Sequence, residues 1–170
     1  MLDHPACRFL WCLAGVASGI GLALALVGPG HEPFLLASLG GSAAFLFGLT
    51  RAPAAQPRAL LGGHLGAAFI GIACYQWLGD AQLTYVLAQV LALAFMLLTR
   101  TLHPPAGANP LIMVYVHAGW TTLLHPVLLG VLSLALVAAV WSRLYPGLSP
   151  YPVDLRAASP PRLDWGGWGV

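Results

Sequence analysis

Charge is what this sequence has least of. Its 170 residues include seven Lys or Arg, every one of them Arg, and five Asp or Glu, so 7% are charged, where soluble domains carry about a quarter. With 59% hydrophobic residues and a mean hydropathy of +0.81, a soluble fold would have too little polar surface to face water. No Asp or Glu lies inside an apolar run, which removes the carboxylate relay of many proton-coupled carriers. Any proton coupling would have to use His64 or His103, whose imidazoles are the groups that titrate near neutrality. Cys7, Cys12 and Cys74 have neither metal-ligand spacing nor a disulfide pattern. There is no phosphate-binding loop and no nucleophile beside a base at a recognisable motif. An enzyme is therefore not expected, nor a cofactor, a metal centre or a nucleic-acid partner.

What is present is a series of apolar runs, which makes the lipid bilayer the first expected partner. They cover Phe9 to Val27, Pro33 to Leu49, Ala59 to Leu78, Gln82 to Leu98, Pro104 to His117 and Thr121 to Ser142. Crossing a bilayer as helix takes about 17–25 residues. Segments one, three, four and six meet that length or come near it, two is marginal and five is short. The predicted fold is an all-α membrane protein, a small polytopic bundle of four long spans plus two short or broken segments.

Basic residues in short loops favour the cytoplasmic side. Six crossings with the N-terminus inside place all seven arginines inside, at 8, 51, 58, 100, 143, 156 and 162. The outer turns then hold Glu32 and Asp80 and no basic residue. Making segment two or five re-entrant would strand arginines outside. Trp77, Tyr85 and Trp120 fall near the outer interface, and Trp11, Trp141 and Tyr145 near the inner one. A bacterial inner membrane with both termini cytoplasmic is the expected location.

His103-Pro104-Pro105-Ala106-Gly107-Ala108-Asn109-Pro110 is predicted to interrupt regular helix. Three prolines remove three donors, and Pro110 disfavours helical angles at Asn109. Irregular backbone at membrane depth persists only where protein buries it or a wet cavity receives it. The other half of the chain shows related features. A long span leads to His31-Glu32-Pro33, a short small-residue segment with Ser38, Gly40, Gly41 and Ser42 follows, and Leu60-Leu61-Gly62 in the next span matches Leu128-Leu129-Gly130. Three crossings per half would make this an inverted 3+3 repeat, whose paired short segments point to a transporter's binding site.

Three linked blocks carry a family resemblance. They are Gly40-Gly41-Ser42-Ala43 with Leu46-Phe47-Gly48, Ala55-Gln56-Pro57-Arg58 leading to Gly62-Gly63-His64, and Thr99-Arg100-Thr101-Leu102-His103-Pro104-Pro105-Ala106-Gly107-Ala108. In order and spacing, over about residues 30 to 145, the chain resembles the HPP family of integral membrane proteins. The resemblance implies a small multi-span protein, usually described with four spans, and some members are regarded as nitrite transporters. It carries the expectation of a permease for a small inorganic anion. Neither a chloroplast transit peptide nor the regulatory domain fused to some bacterial members is expected here.

For such an anion, a half-helix opening at Ala106-Gly107-Ala108 would offer free N–H groups, as would Gly40-Gly41-Ser42. His64, His103, Asn109 and Ser42 would supply hydrogen bonds, and Arg58 would draw anions to the inner mouth. Pro104 and Pro105 would shape the turn. Each has a plainer reading. Prolines start helices, Gly15, Gly19, Gly62, Gly63, Gly66 and Gly71 fit helix packing, and Arg58 and Arg100 can anchor at the interface. Gln89 reads as interhelical glue. A histidine-dependent metal or cation permease using His31, His64, His103 and His117 is the alternative function, with a non-transporting scaffold as another. A homo-oligomer is compatible with the sequence. Residues 1–145 form the expected transmembrane domain, segment one being too long for a signal-peptide core. Residues 146–170 form a proline-rich cytoplasmic tail expected to be poorly ordered, with Trp165 and Trp168 at the membrane surface.

Overall fold

Four helices in the computed structural model have the length and hydropathy of membrane spans: Pro5–Val27, Pro57–Leu78, Gln82–Thr99 and Leu123–Leu144. The structure describes residues 4–28 and 37–162. The His31-Glu32-Pro33 motif, Trp165 and Trp168 lie outside the described residues. In chain order the helices are α1 (Pro5–Val27), α2 (Ala37–Ala43), α3 (Pro57–Leu78), α4 (Gln82–Thr99), α5 (Asn109–Tyr115) and α6 (Leu129–Leu144). Among the described residues there is no strand, only an isolated bridge between Thr101 and Ser159.

Local chemistry sets the boundaries. Pro5 and Pro57 open α1 and α3, where a missing N–H has no intrahelical partner to lose. The His4 ring also accepts the Ala6 N–H, capping α1. A kink at His125 (φ −138, ψ 111), ahead of Pro126, sets the Leu123–Leu128 turn off from α6. At a rise of 1.5 Å per residue α3 is about 33 Å long, enough for the roughly 30 Å hydrocarbon layer. The short segments are different. The seven residues of α2 continue into a wide turn, Ala44–Gly48, and the five-residue 3-10 turn Pro104–Ala108 leads into the seven of α5. Neither is long enough to cross alone, and each turns one side into the bundle. Leu39, Ala43, Ala106, Ile112, Met113 and Val114 are all buried.

The charge ladder of the sequence becomes two ends of one bundle. Arg58 donates to the Thr99 carbonyl, Arg143 to the Tyr151 carbonyl, and the Ser159 N–H to the Arg100 carbonyl. This arginine end also gathers Trp11, Trp141 and Tyr145, whose rings stack or tilt against one another. At the opposite end His117 pairs with Asp80 at 2.8 Å, and Gln76 donates to the Ala118 carbonyl. The segment from Thr101 to Ala118 climbs along α3 from one end to the other. Thr101 lies against Gly62 and Gly63, Pro110 against Gly71, and Ala118 beside Gln76. Segment five therefore runs the length of the bundle beside α3.

α1 packs on α6, and α3 packs on α4 and α5. The α1–α6 and α4–α3 pairings correspond under an inverted repeat relating α1 to α4 and α3 to α6. One core joins Leu39, Leu46, Phe47, Leu60, Leu134, Trp141 and Tyr151, and a second joins Ala68, Ile72, Ile112, Met113 and Val127. Large apolar side chains such as Phe9, Leu24, Leu91 and Leu136 face outward, as a hydrocarbon solvent permits.

The proline-rich tail is not helical, yet through residue 162 it is tied to the arginine end. Tyr151 is 1% exposed within the first core. Gln56 accepts the Val153 and Asp154 N–H groups, and Arg100 donates to the Pro160 and Pro161 carbonyls. Proline prevents helix here but not docking, because these contacts use carbonyls and the N–H groups of other residues.

Candidate functional site

Ser42, His64, His103 and Asn109 come from four separate stretches of chain and meet in the interior, each no more than 1% exposed. α3 carries His64 about 10 Å from its first residue. His103 precedes Pro104 and takes the extended conformation that position favours (φ −123, ψ 102), which turns its ring inward. Gly63 makes the approach feasible, since a Cβ there would stand 2.9 Å from the Thr101 carbonyl oxygen and 3.0 Å from the His103 Cβ. Asn109 opens α5, and Ser42 lies near the end of α2.

One hydroxyl joins the two histidines. Ser42 Oγ lies 2.7 Å from His64 Nε2 and 2.8 Å from His103 Nε2, and 3.0 Å from the Ser38 carbonyl oxygen. The outer nitrogens are also engaged. His103 Nδ1 lies 2.6 Å from the Ala54 carbonyl oxygen, and Asn109 Nδ2 lies 3.0 Å from His64 Nδ1 and 3.1 Å from the His64 carbonyl oxygen. A carbonyl only accepts, so His103 carries a proton on Nδ1 and Asn109 presents its NH2 to His64. With both rings neutral, the bonds run one way. Asn109 donates to His64 Nδ1, His64 Nε2–H to Ser42, the Ser42 hydroxyl to His103 Nε2, and His103 Nδ1–H to Ala54.

The donors of this chain are committed while two nearby acceptors are not. Asn109 Oδ1 and Gln89 Oε1 are buried without a hydrogen-bond partner. Gln89 borders the turn, its Nε2 3.8 Å from where a Gly107 Cβ would lie. The edge of Phe45 closes over His103 at a ring-centroid distance of 5.5 Å.

Residues 3–152 match the family described as HPP, transmembrane region. The chain belongs to the HPP transmembrane family. Two transmembrane proteins of Dictyostelium discoideum are similar to it, each 35% identical over 115 and 114 residues. These alignments cover 63% and 62% of this chain but 37% and 40% of the relatives, so the chain spans well under half of their length. No solved structure matches the chain.

Within this HPP fold the expected site residues separate into two groups. Ser42, His64, His103 and Asn109 converge, with buried Ala106 beside them and Pro105 against Gly41. Arg58 stands apart, exposed and bonded to the C-terminal carbonyl of α4. Gly40 is exposed with nothing near its Cβ position, and Pro104 is exposed as well. The His-Pro-Pro stretch forms a 3-10 turn running into helix instead of an open break. Asn109 keeps helical angles (φ −58, ψ −43) despite Pro110, because its amide is held twice by His64 and Pro110 falls in the first turn of α5. Nor are all the amides free for an anion. Ala106 N–H bonds the His103 carbonyl, and Asn109 N–H the Ala106 carbonyl. Half-buried Gly107 and Ala108 line the turn without reaching the histidines' hydrogen bonds. Sequence reasoning missed the Ala54 carbonyl and the buried Gln56, since no spacing rule connects either to His103 or to the tail.

Proposed function

We propose that this HPP-family protein is a permease for a small inorganic anion, with nitrite favoured by the family resemblance. The observation that carries this reading is the buried Ser42–His64–His103–Asn109 cluster, placed where both short segments meet on a long span. Polar groups inside an apolar bundle are costly, and ionisable residues at membrane depth usually mark a pathway. The contact of Gly41 with Pro105 joins the two short segments beside the cluster. Parting them there would open the site without breaking the pairing of the long helices. The arginine end is the cytoplasmic one in this reading, in a bacterial inner membrane with both termini inside.

A metal permease has less support. His117 is occupied with Asp80 at the far end, and no group of three or more His, Cys, Asp or Glu suited to a metal occurs among the described residues. The test is flux of nitrite, nitrate, formate and chloride into vesicles holding the purified protein. Nitrite entry above the leak of protein-free vesicles supports the permease. Uptake of divalent metal instead would favour the metal reading, and absence of any flux a scaffold.

A further inference from the structure

We infer that the anion is taken up together with one proton, which the Ser42-bridged histidines hold, so that transport is electroneutral. The inference rests on the anion-permease reading and adds to it the identity of the co-substrate. Hydrogen-bond arithmetic carries it. With both rings neutral, the single Ser42 proton is committed to His103 Nε2. That nitrogen is the one ring position in the cluster open to a further proton, because His103 Nδ1 already bears one, His64 Nε2 bears one, and His64 Nδ1 faces an amide NH2. When a proton arrives, the N–H bond forms at His103 Nε2, and the Ser42 hydroxyl needs another acceptor. The Ser38 carbonyl oxygen is in place at 3.0 Å. Ser42 Oγ then accepts from both imidazoles and donates to Ser38. Rotation of one hydroxyl links the two states, with no heavy atom displaced. The proton comes from the weak acid itself or from water, and no electron is transferred.

The charges point the same way. In the neutral state the cluster shows an anion committed donors and the orphaned oxygen of Asn109, which repels it. After protonation the cluster is a buried cation. The groups facing it are Ser38, Ser42 and Phe45 from the α2 segment, Ala54 from the loop before α3, Gly63 and His64 from α3, and Asn109 from α5. Besides the two histidines, none of these is an ionisable group. Arg58 and Arg100 are committed to the Thr99, Pro160 and Pro161 carbonyls at the arginine end. An unpaired charge in this setting is very unfavourable, and the anion is its counter-ion.

The experiment measures nitrite and formate entry into vesicles carrying an internal pH dye, with the membrane potential set by potassium and valinomycin. The expected result is entry unaffected by potential, with about one proton per anion, consistent with a single histidine site. Ser42→Ala should abolish proton uptake, and Ser42→Thr, which keeps the hydroxyl, should restore it. Anion entry that follows the potential and brings no proton overturns this inference and leaves the permease standing. Absence of all anion flux overturns the permease and, with it, the coupling. Nitrogen NMR of labelled histidine gives a check independent of flux. Neutral His64 should carry its proton on Nε2 and neutral His103 on Nδ1, with His103 the first to gain a second proton. The opposite tautomers would refute the relay.

Discussion

Pro110 lies so close to Gly71 that a Cβ at residue 71 would stand 2.8 Å from both the Cα and the carbonyl oxygen of the proline. The contact is backbone against backbone, so no flexible side chain can yield. It sets how near α5 comes to α3, and thereby whether Asn109 reaches His64. Gly71→Ala should destabilise the protein by about 1–3 kcal/mol, the usual range for overpacking, despite the better helix propensity of alanine. Thermal unfolding in detergent measures this. An unchanged midpoint would show that α3 and α5 are further apart.

Asn109→Leu and His64→Leu remove opposite ends of one hydrogen bond. Each should cost about 1–3 kcal/mol, the penalty for leaving a buried partner unsatisfied, and leave the protein folded in the membrane. Anion flux should fall to near the vesicle leak in both. Wild-type flux from well-folded variants would place the pathway elsewhere.

Gln56 is 1% exposed and joins the loop before α3 to the tail, donating to the Thr50 carbonyl and accepting from Val153 and Asp154. Gln56→Ala should free the tail, and trypsin should cut after Arg156 several-fold faster than in the wild type. Equal cleavage rates would mean that the buried Tyr151, Ser159 and the Arg100 and Arg143 contacts hold the tail without Gln56.

Asp80 sits in the turn between α3 and α4. Hydrogen bonds from His117 and Tyr85 hold its carboxyl below the ordinary carboxylate range. A depressed folded-state value means the contribution to stability is present above the unfolded value and is lost as pH falls through the folded one. Unfolding midpoints followed into acid should therefore drop in the wild type and drop less in Asp80→Asn. Parallel curves would show that the contact contributes nothing, as exposed pairs often do.

Much of this architecture can be read without coordinates. Long apolar runs bounded by arginines correspond to α1, α3, α4 and the Leu123–Leu144 helix, and Arg58, Arg100 and Arg143 each bond a backbone carbonyl at the arginine end. Ser42, His64, His103 and Asn109 were each legible as polar residues in apolar surroundings. Arg58 looked equally promising, but the α4 carbonyl it binds lies across a helix pair. The His-Pro-Pro turn stays helical because Asn109 is held by a residue 45 positions away.

Hydropathy and charge act through solvent, and solvent is met segment by segment; for that reason the chain alone determined a four-helix membrane bundle with its cations at one end. Hydrogen bonds act within about 3 Å. Which hydroxyl bridges His64 and His103, which carbonyl sets the His103 tautomer, and which oxygen of Asn109 is left over depended on how closely glycine-faced helices could approach, and only the tertiary structure decided that.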